Sequence, residues 1–183
     1  MGFVLLIAGI VIWIGAHVFK RLAPEQRAAM GDKGRLVVTV AIVVGLVLMI
    51  VGYRSSMQID VWYPAGFLTH INNVLMLFAF YSFGIGASKG RHAQKIRHPQ
   101  LTAVKIWAVA HLIANGDLAS ILLFGSMLAW AVLEVILINK AEGPWVKPDV
   151  IKPNGDVKNA LIAGVLYVVV AGIHVALGVY PFG

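Results

Sequence analysis

The chain has 183 residues, room for one domain, and 60% of them are hydrophobic, with a mean hydropathy of +0.84. This apolar share exceeds that of a soluble domain, so lipid must be the solvent for much of its surface. The net charge is +7 and there is no cysteine, which excludes disulfides, iron–sulfur clusters, thiolate nucleophiles and the two-cysteine motif for covalent haem attachment.

Six apolar segments along the chain are long enough to cross a bilayer core of about 30 Å. The predicted spans are residues 2–19, 36–53, 66–87, 99–115, 118–138 and 159–179, of which the fourth is the shortest and most polar. The first lacks the basic start of a signal peptide, so we expect a retained helix whose N-terminus is translocated. The sequence therefore predicts an all-α integral membrane protein, a single domain over residues 1–183 built as a bundle of six transmembrane helices.

The basic residues predict how this bundle is oriented. The loops after the first, third and fifth spans hold thirteen of the fifteen Lys and Arg, whereas the opposite face has only Arg54 and Lys105 lies within a span. Loops rich in Lys and Arg stay in the cytoplasm, so both termini are expected on the non-cytoplasmic side. Charge confined to such loops marks topology and does not indicate a nucleic-acid partner.

Local signals refine the fourth and fifth spans. Asn115-Gly116-Asp117 is a turn sequence, which predicts a tight antiparallel hairpin with Asp117 capping the fifth helix. Pro99 suits the first turn of the fourth helix, where a missing N–H costs nothing. The loop after the fifth span is predicted to be kinked because it contains Pro144, Pro148 and Pro153. At the end of the third span, close packing and a turn are expected at Gly84, Gly86 and Gly90.

Two charged residues lie within neighbouring spans at matching depth. Lys105 and Glu134 each lie about 6–9 Å from the basic face at 1.5 Å per residue. Ionisable residues inside spans are costly and therefore indicate function by default. We expect a structural ion pair here, with a catalytic role or contact to the propionates of a cofactor as the alternative for Lys105.

The histidines are candidates for metal ligands. His92 and His98 lie in a basic loop and His70 begins the third span, whereas His17, His111 and His174 lie within spans. An intramembrane histidine either hydrogen-bonds a neighbouring helix or binds a metal, and residue types alone leave both open.

Tryptophan accompanies two of these histidines at a spacing that places both on one helix face. Trp13 precedes His17 by four residues, and Trp107 precedes His111 by four. Such pairs could pack against a planar cofactor, and two facing imidazoles could hold haem iron. On straight helices His17 and His111 differ in depth by roughly 12 Å, and His174 lies closer to His111 in depth, so spacing mildly favours the pair of His111 and His174.

The stretch "RHPQLTAVKIWAVAHLIANGD" from Arg97 to Asp117, with "IGAHVFKRL" in the first span, resembles the NnrU family of membrane proteins over nearly the whole chain. This family includes the plant zeta-carotene isomerase, a haem b enzyme with two axial histidines. Carried over by motif, the iron ligands fall on His17 and His111, whereas His98 is the non-ligating histidine of "RHPQ". Val18 and Phe19 replace the serine and glycine that follow the isomerase's first ligand, a departure that concerns the substrate.

The resemblance implies non-covalent haem b in a multi-pass protein of the bacterial inner (cytoplasmic) membrane. We further expect the anionic propionates of the haem to meet Arg97, His98 and Lys105, which are cationic or can become so. Trp107 is expected to pack beside the porphyrin ring. The family is associated with nitrite and nitric oxide respiration, and a ferrous haem that releases one histidine would bind nitric oxide.

Three other functions are compatible with these residues. The chain could be a haem-dependent cis-trans isomerase of a lipophilic polyene, a membrane methyltransferase of a small thiol, or a structural subunit without a cofactor. The substrate, the electron donor, the oligomeric state and the replacement of His17 by His174 or His70 as a ligand are left open.

Overall fold

The computed structural model describes residues 1–149 and 151–182, which form a bundle of α-helices. These are α1 (Gly2–Leu22), α2 (Pro24–Ala29), α3 (Lys33–Ser55), α4 (Leu68–Ser88), α5 (Pro99–Ala114), α6 (Leu118–Glu142) and α7 (Gly155–Ala176). The predicted all-α class is confirmed. By length and composition, α1, α3, α4, α6 and α7 could each cross a membrane. The predicted fourth span, α5, has 16 residues and is about 24 Å long, so the six-span count stays a prediction.

The helices extend beyond the predicted spans at the end of the bundle where the connections rich in Lys and Arg lie. Helix α1 continues to Leu22, α6 continues to Glu142, and α7 begins at Gly155. Charged residues can continue a helix at this level, because a long side chain can lay its apolar stem along the protein and extend its charged head into water. The short helix α2 was not predicted, and it starts with Pro24 in its first turn.

The main helices pack in the order α3, α1, α6, α5, α4, α7, each against the next. A buried apolar cluster joins α1, α3 and α6, and it includes Leu6, Ile10, Met49 and Met127. The two outermost helices, α3 and α7, leave most of their apolar surface exposed, as expected where lipid is the solvent. Helix α6 therefore lies near the centre of the bundle, with α1 on one side and α5 on the other.

Glycines allow the closest helix approaches. A Cβ added to Gly9 of α1 would lie 2.6 Å from the backbone nitrogen of Met49 in α3, and one added to Gly45 would lie 3.0 Å from the Gly9 carbonyl oxygen. Small residues at such contacts let helix backbones pack directly, which is the usual source of helix association in lipid. Gly84 likewise faces the side chain of Asn159 on α7, which confirms the close packing predicted for the end of the third span.

All three basic connections meet at one end of the bundle, which we call the basic end. Arg21 Nη2 donates to Glu142 Oε1 at 2.9 Å, joining the ends of α1 and α6. Arg97 Nη1 donates to the Gly143 carbonyl at 2.8 Å, joining the start of α5 to the end of α6. The chain after α6 is irregular over the described residues of its proline-containing part, as predicted.

The turn between α5 and α6 lies at the opposite end, which we call the outer end. There the Val61 N–H donates to the Gly116 carbonyl at 2.8 Å, and the Leu118 N–H donates to the Ile59 carbonyl at 2.8 Å. The loop after α3 thus packs on this turn, and a side chain on Gly116 would collide with the Trp62 carbonyl. Helix α5 therefore runs from the basic end to the outer end, alongside its longer neighbours.

The predicted caps are present. Pro99 lies in the first turn of α5. Asp117 caps α6, since its Oδ1 accepts from the Ser120 N–H at 2.9 Å and its Oδ2 accepts from the Ser120 hydroxyl at 2.6 Å. The Ser120 hydroxyl in turn accepts from the Tyr53 hydroxyl at 2.8 Å, because its own proton is used. This chain of bonds fixes α3 against α6 at the outer end.

Candidate functional site

The three histidines inside long helices share one local geometry. The Nδ1 atoms of His17, His111 and His174 lie 2.8, 2.9 and 2.8 Å from the carbonyl oxygens four residues earlier. A carbonyl only accepts, so Nδ1 carries the proton in each case and the neutral ring presents an unprotonated Nε2. Metal-binding histidines usually have this arrangement, in which a backbone carbonyl orients the ring and the other nitrogen binds the metal.

His17 lies between α1 and α6 among aromatic rings. Its ring centroid is 4.3 Å from that of Trp13 and 4.8 Å from that of Trp130. The contact with Trp13 is the one predicted from the four-residue spacing. Trp130 was missed, because nothing in the sequence of α6 indicates which of its sides faces α1.

Three buried polar atoms of this region have no hydrogen-bond partner within the part of the chain that the structure describes. They are Trp13 Nε1, Trp130 Nε1 and Glu134 Oε2. Buried polar groups in native proteins are almost always paired, so unpaired ones indicate a ligand or water that completes the site. The surroundings of His17 thus offer two N–H donors and one carboxylate oxygen.

The predicted ion pair between Lys105 and Glu134 is wrong. Glu134 lies four residues after Trp130 on the face of α6 that meets α1, and its electrostatic neighbours are Arg21 and His17. Lys105 takes part in none of the ion pairs formed among the described residues, which are Arg21–Glu142, His92–Asp156 and Arg97–Glu142. The two residues have similar depths, but rotation of α6 points the carboxylate to the other side.

His111 lies between α5 and α6. Its ring stacks on Phe124 with centroids 4.6 Å apart and an interplanar angle of 30°. The predicted partner Trp107 is also in contact, with centroids 5.4 Å apart. The Asn115 side chain donates to the His111 carbonyl at 2.8 Å and closes the end of the helix.

Helix α6 gives the relative levels of the two predicted ligands. His17 contacts Trp130 and His111 contacts Phe124, and these contacts are six residues apart, or about 9 Å along the axis. This offset is somewhat smaller than the one expected from straight spans. His174 lies on α7, and its level along the spans is the reason that it was predicted as an alternative partner of His111. Both remain candidates for the second imidazole.

The loop histidines are engaged differently. His98 Nε2 donates to Asn139 Oδ1 at 2.8 Å, which ties the start of α5 to the end of α6. His92 Nδ1 lies 2.8 Å from the Tyr81 hydroxyl and 3.1 Å from Asp156 Oδ1. His70 is exposed at the start of α4.

No group of three or more His, Asp or Glu side chains converges on a point within residues 1–149 and 151–182. An ion held by a full set of protein ligands would need such a group. Haem iron takes four nitrogens from the porphyrin, so the protein supplies only one or two ligands, and a bis-imidazole site needs two histidines. Pairs of histidines, and not larger clusters, are therefore the arrangement to consider.

This fold and site define an all-helical, multi-pass membrane protein with half-buried imidazoles against its central helix. The chain belongs to the NnrU family: the family model described as NnrU protein matches residues 5–181, nearly its whole length. No curated protein and no solved structure matches it.

Proposed function

We propose that the chain is an integral membrane haem b protein that serves nitrite and nitric oxide respiration, with His17 and His111 as axial ligands. Membership of the NnrU family supports the setting. The single observation that carries the haem is the orientation of the imidazoles, each with Nδ1–H on a backbone carbonyl and Nε2 left to bind iron. When bound, haem b supplies a one-electron couple and, on loss of one imidazole, an open position for nitric oxide.

The residues fit this cofactor in their chemistry. The two histidines provide neutral nitrogen donors, and their tryptophans provide flat apolar walls. The unpaired indole N–H groups beside His17 offer donors for the polar atoms of a ligand or of a water. His17 and His111 contact faces of α6 that lie about 120° apart around its axis and about 9 Å apart along it, so a haem held by both requires a rearrangement of α1, α5 and α6. His174 is the competing partner of His111.

Three residues that are cationic or can become so were predicted to meet the haem propionates, and they lie at different levels along the axis of α5. Lys105 is six residues from His111, about 9 Å along the axis, whereas Arg97 and His98 are about 20 Å away. Lys105 is therefore the best placed of the three if the haem is centred near His111. Arg97 and His98 would reach only a haem centred closer to the basic end.

We also infer six spans in the inner membrane, with the basic end in the cytoplasm and both termini outside. The course of α5 supports this, since its start is bonded to the end of α6 and its last turn lies beneath the loop after α3. The 16 residues of α5 span less than a full bilayer core, and local thinning or the neighbouring helices can accommodate that deficit.

Optical spectra of purified single variants test the ligand assignment. We expect the six-coordinate low-spin spectrum of the wild type, oxidised and dithionite-reduced, to be lost in His17→Ala and in His111→Ala. It should persist in His174→Ala and in His98→Ala, whose ring is held by Asn139.

Loss of the spectrum in His174→Ala with retention in His17→Ala would replace His17 by His174. Unchanged spectra in all four variants would contradict both pairs. The respiratory role is tested separately, by consumption of nitrite and nitric oxide in cells that lack the protein or carry His111→Ala.

A further inference from the structure

A cleft of about 340 Å³ lies at the basic end, between the start of α5 and the segment after α6. It is lined by Arg97, His98, Glu142, Pro144, Trp145 and Val146. His98 is the N-cap residue of α5 and Gly143 the C-cap residue of α6, so the cleft opens at the level where the helices end. In a membrane this is the level of the lipid headgroups.

The charges around the cleft leave an excess of positive charge. Glu142 Oε1 accepts from Arg21 at 2.9 Å, and its Oε2 is 4.0 Å from Arg97 Nη2. One carboxylate is thus shared by two guanidinium groups. Arg97 spends one of its five N–H donors on the Gly143 carbonyl, and its side chain remains 20% exposed.

The bond to Gly143 also holds the guanidinium in place, so little side-chain entropy remains to be lost when an anion binds. His98 is similarly held, because its Nε2 donates to Asn139. The fixed guanidinium of Arg97 is a preorganised donor to an anion, and arginine suits phosphate because its planar fork can donate two parallel bonds. His98 only forms part of the wall, because its Nε2–H is already donated to Asn139.

The rim of the cleft is apolar. Val146 is 84% exposed and Pro144 is also exposed, although both directly follow a transmembrane helix. Trp145 lies between them, and tryptophan is enriched where proteins meet the headgroup region. A polar wall under an exposed apolar rim matches a lipid, whose phosphate is anionic and whose glycerol and acyl groups are not.

We propose that this cleft binds a phosphate group, with Arg97 as its main donor and an acidic phospholipid of the adjoining leaflet as its source. The site is separate from the proposed haem site, since His98 is about 20 Å from His111 along α5. Free inorganic phosphate has the same chemistry and would compete for the same donors.

Native mass spectrometry of the full-length protein, released from detergent, tests this site. We expect the wild type to retain phosphatidylglycerol in preference to phosphatidylcholine. Arg97→Gln should weaken phosphatidylglycerol binding roughly tenfold, because a charge-assisted bond to phosphate is lost. Lys95→Gln removes the same charge from the same loop outside the cleft and should change binding less than about twofold, since exposed charges are screened.

Glu142→Gln distinguishes a binding site from a purely structural cluster. It removes the negative charge shared by Arg21 and Arg97, so we expect tighter binding of phosphatidylglycerol. Binding that weakens in Glu142→Gln as much as in Arg97→Gln would overturn the proposal, as would equal effects of Arg97→Gln and Lys95→Gln. Circular dichroism confirms that each variant is folded. Displacement of the lipid by millimolar inorganic phosphate would assign the cleft to free phosphate, and its persistence assigns it to lipid.

Discussion

A single side chain, that of Asp117, stabilises the packing of the helices at the outer end. Its two carboxylate oxygens accept from the backbone N–H and the hydroxyl of Ser120, and that hydroxyl oxygen accepts a hydrogen bond from the Tyr53 hydroxyl. We expect Asp117→Ala to lower the free energy of unfolding by about 1–2 kcal/mol, the usual cost of a lost N-cap. Thermal unfolding in detergent, followed by circular dichroism, measures this.

Two other variants are the controls for this cap. Asp117→Asn keeps an acceptor for the backbone N–H and should lose less stability than Asp117→Ala. Asp60→Ala removes a neighbouring carboxylate that accepts only from the exposed Gln58 side chain among the described side chains. If Asp60→Ala and Asp117→Ala destabilise the protein equally, the cap contributes nothing.

Single residues also show where sequence reasoning succeeds. The contacts of Trp13 with His17 and of Trp107 with His111 are local and follow from a spacing of four in a helix. The neighbours of Glu134 are not local, and depth alone gave the wrong partner. Trp130, Phe124 and Arg21 were missed for the same reason, since each reaches its partner across a helix interface.

The contact between α1 and α3 depends on glycine. A Cβ at Gly9 would lie 2.6 Å from the Met49 nitrogen and 2.7 Å from the Gly45 carbonyl, and backbone atoms cannot move aside cheaply. We expect Gly9→Ala to destabilise the protein by about 1–3 kcal/mol, as overpacking does elsewhere. Chemical unfolding in detergent, followed by helix content, measures it.

Gly15 provides the matched control on the same helix. A Cβ at Gly15 has no atom within 4 Å in the described structure. Gly15→Ala should therefore change stability by less than about 1 kcal/mol, in the stabilising direction that alanine's higher helix propensity gives. A Gly9→Ala protein as stable as Gly15→Ala would show that the two helices do not pack this closely.

Helices could be predicted from the sequence, but their mutual rotation could not. Apolar length, Pro99 and Asp117 give the starts of α5 and α6 because these signals act within one turn. A helix that is apolar on all sides carries no stripe to show which face is buried. Packing between helices therefore determines which side of α6 faces α1. It also determines which side chains surround His17.

For the whole molecule, the distribution of charge predicts topology. We expect alkaline phosphatase to be active when fused after Gly116 or after the C-terminus, and inactive when fused after Lys95 or Lys147, because the basic loops stay in the cytoplasm. A green fluorescent protein fused after the C-terminus should stay dark if exported by the Sec pathway.

Suppose that alkaline phosphatase is inactive and green fluorescent protein fluoresces at the C-terminus, while alkaline phosphatase is active after Gly116. This result would mean that the last helix does not cross the membrane. Inactivity at Gly116 would mean that α5 does not cross. Either result would place both ends of the helix concerned, α7 or α5, on one side of the membrane and contradict the six-span arrangement.

We propose that histidines of separate helices hold one haem. The most direct measurement is the haem content of the full-length protein, purified from cells supplied with haem precursor and assayed as the pyridine complex. We expect one haem b per chain in the wild type and none in a variant that carries both His17→Ala and His111→Ala. A colourless wild-type protein, or a double variant with unchanged haem content, would contradict it.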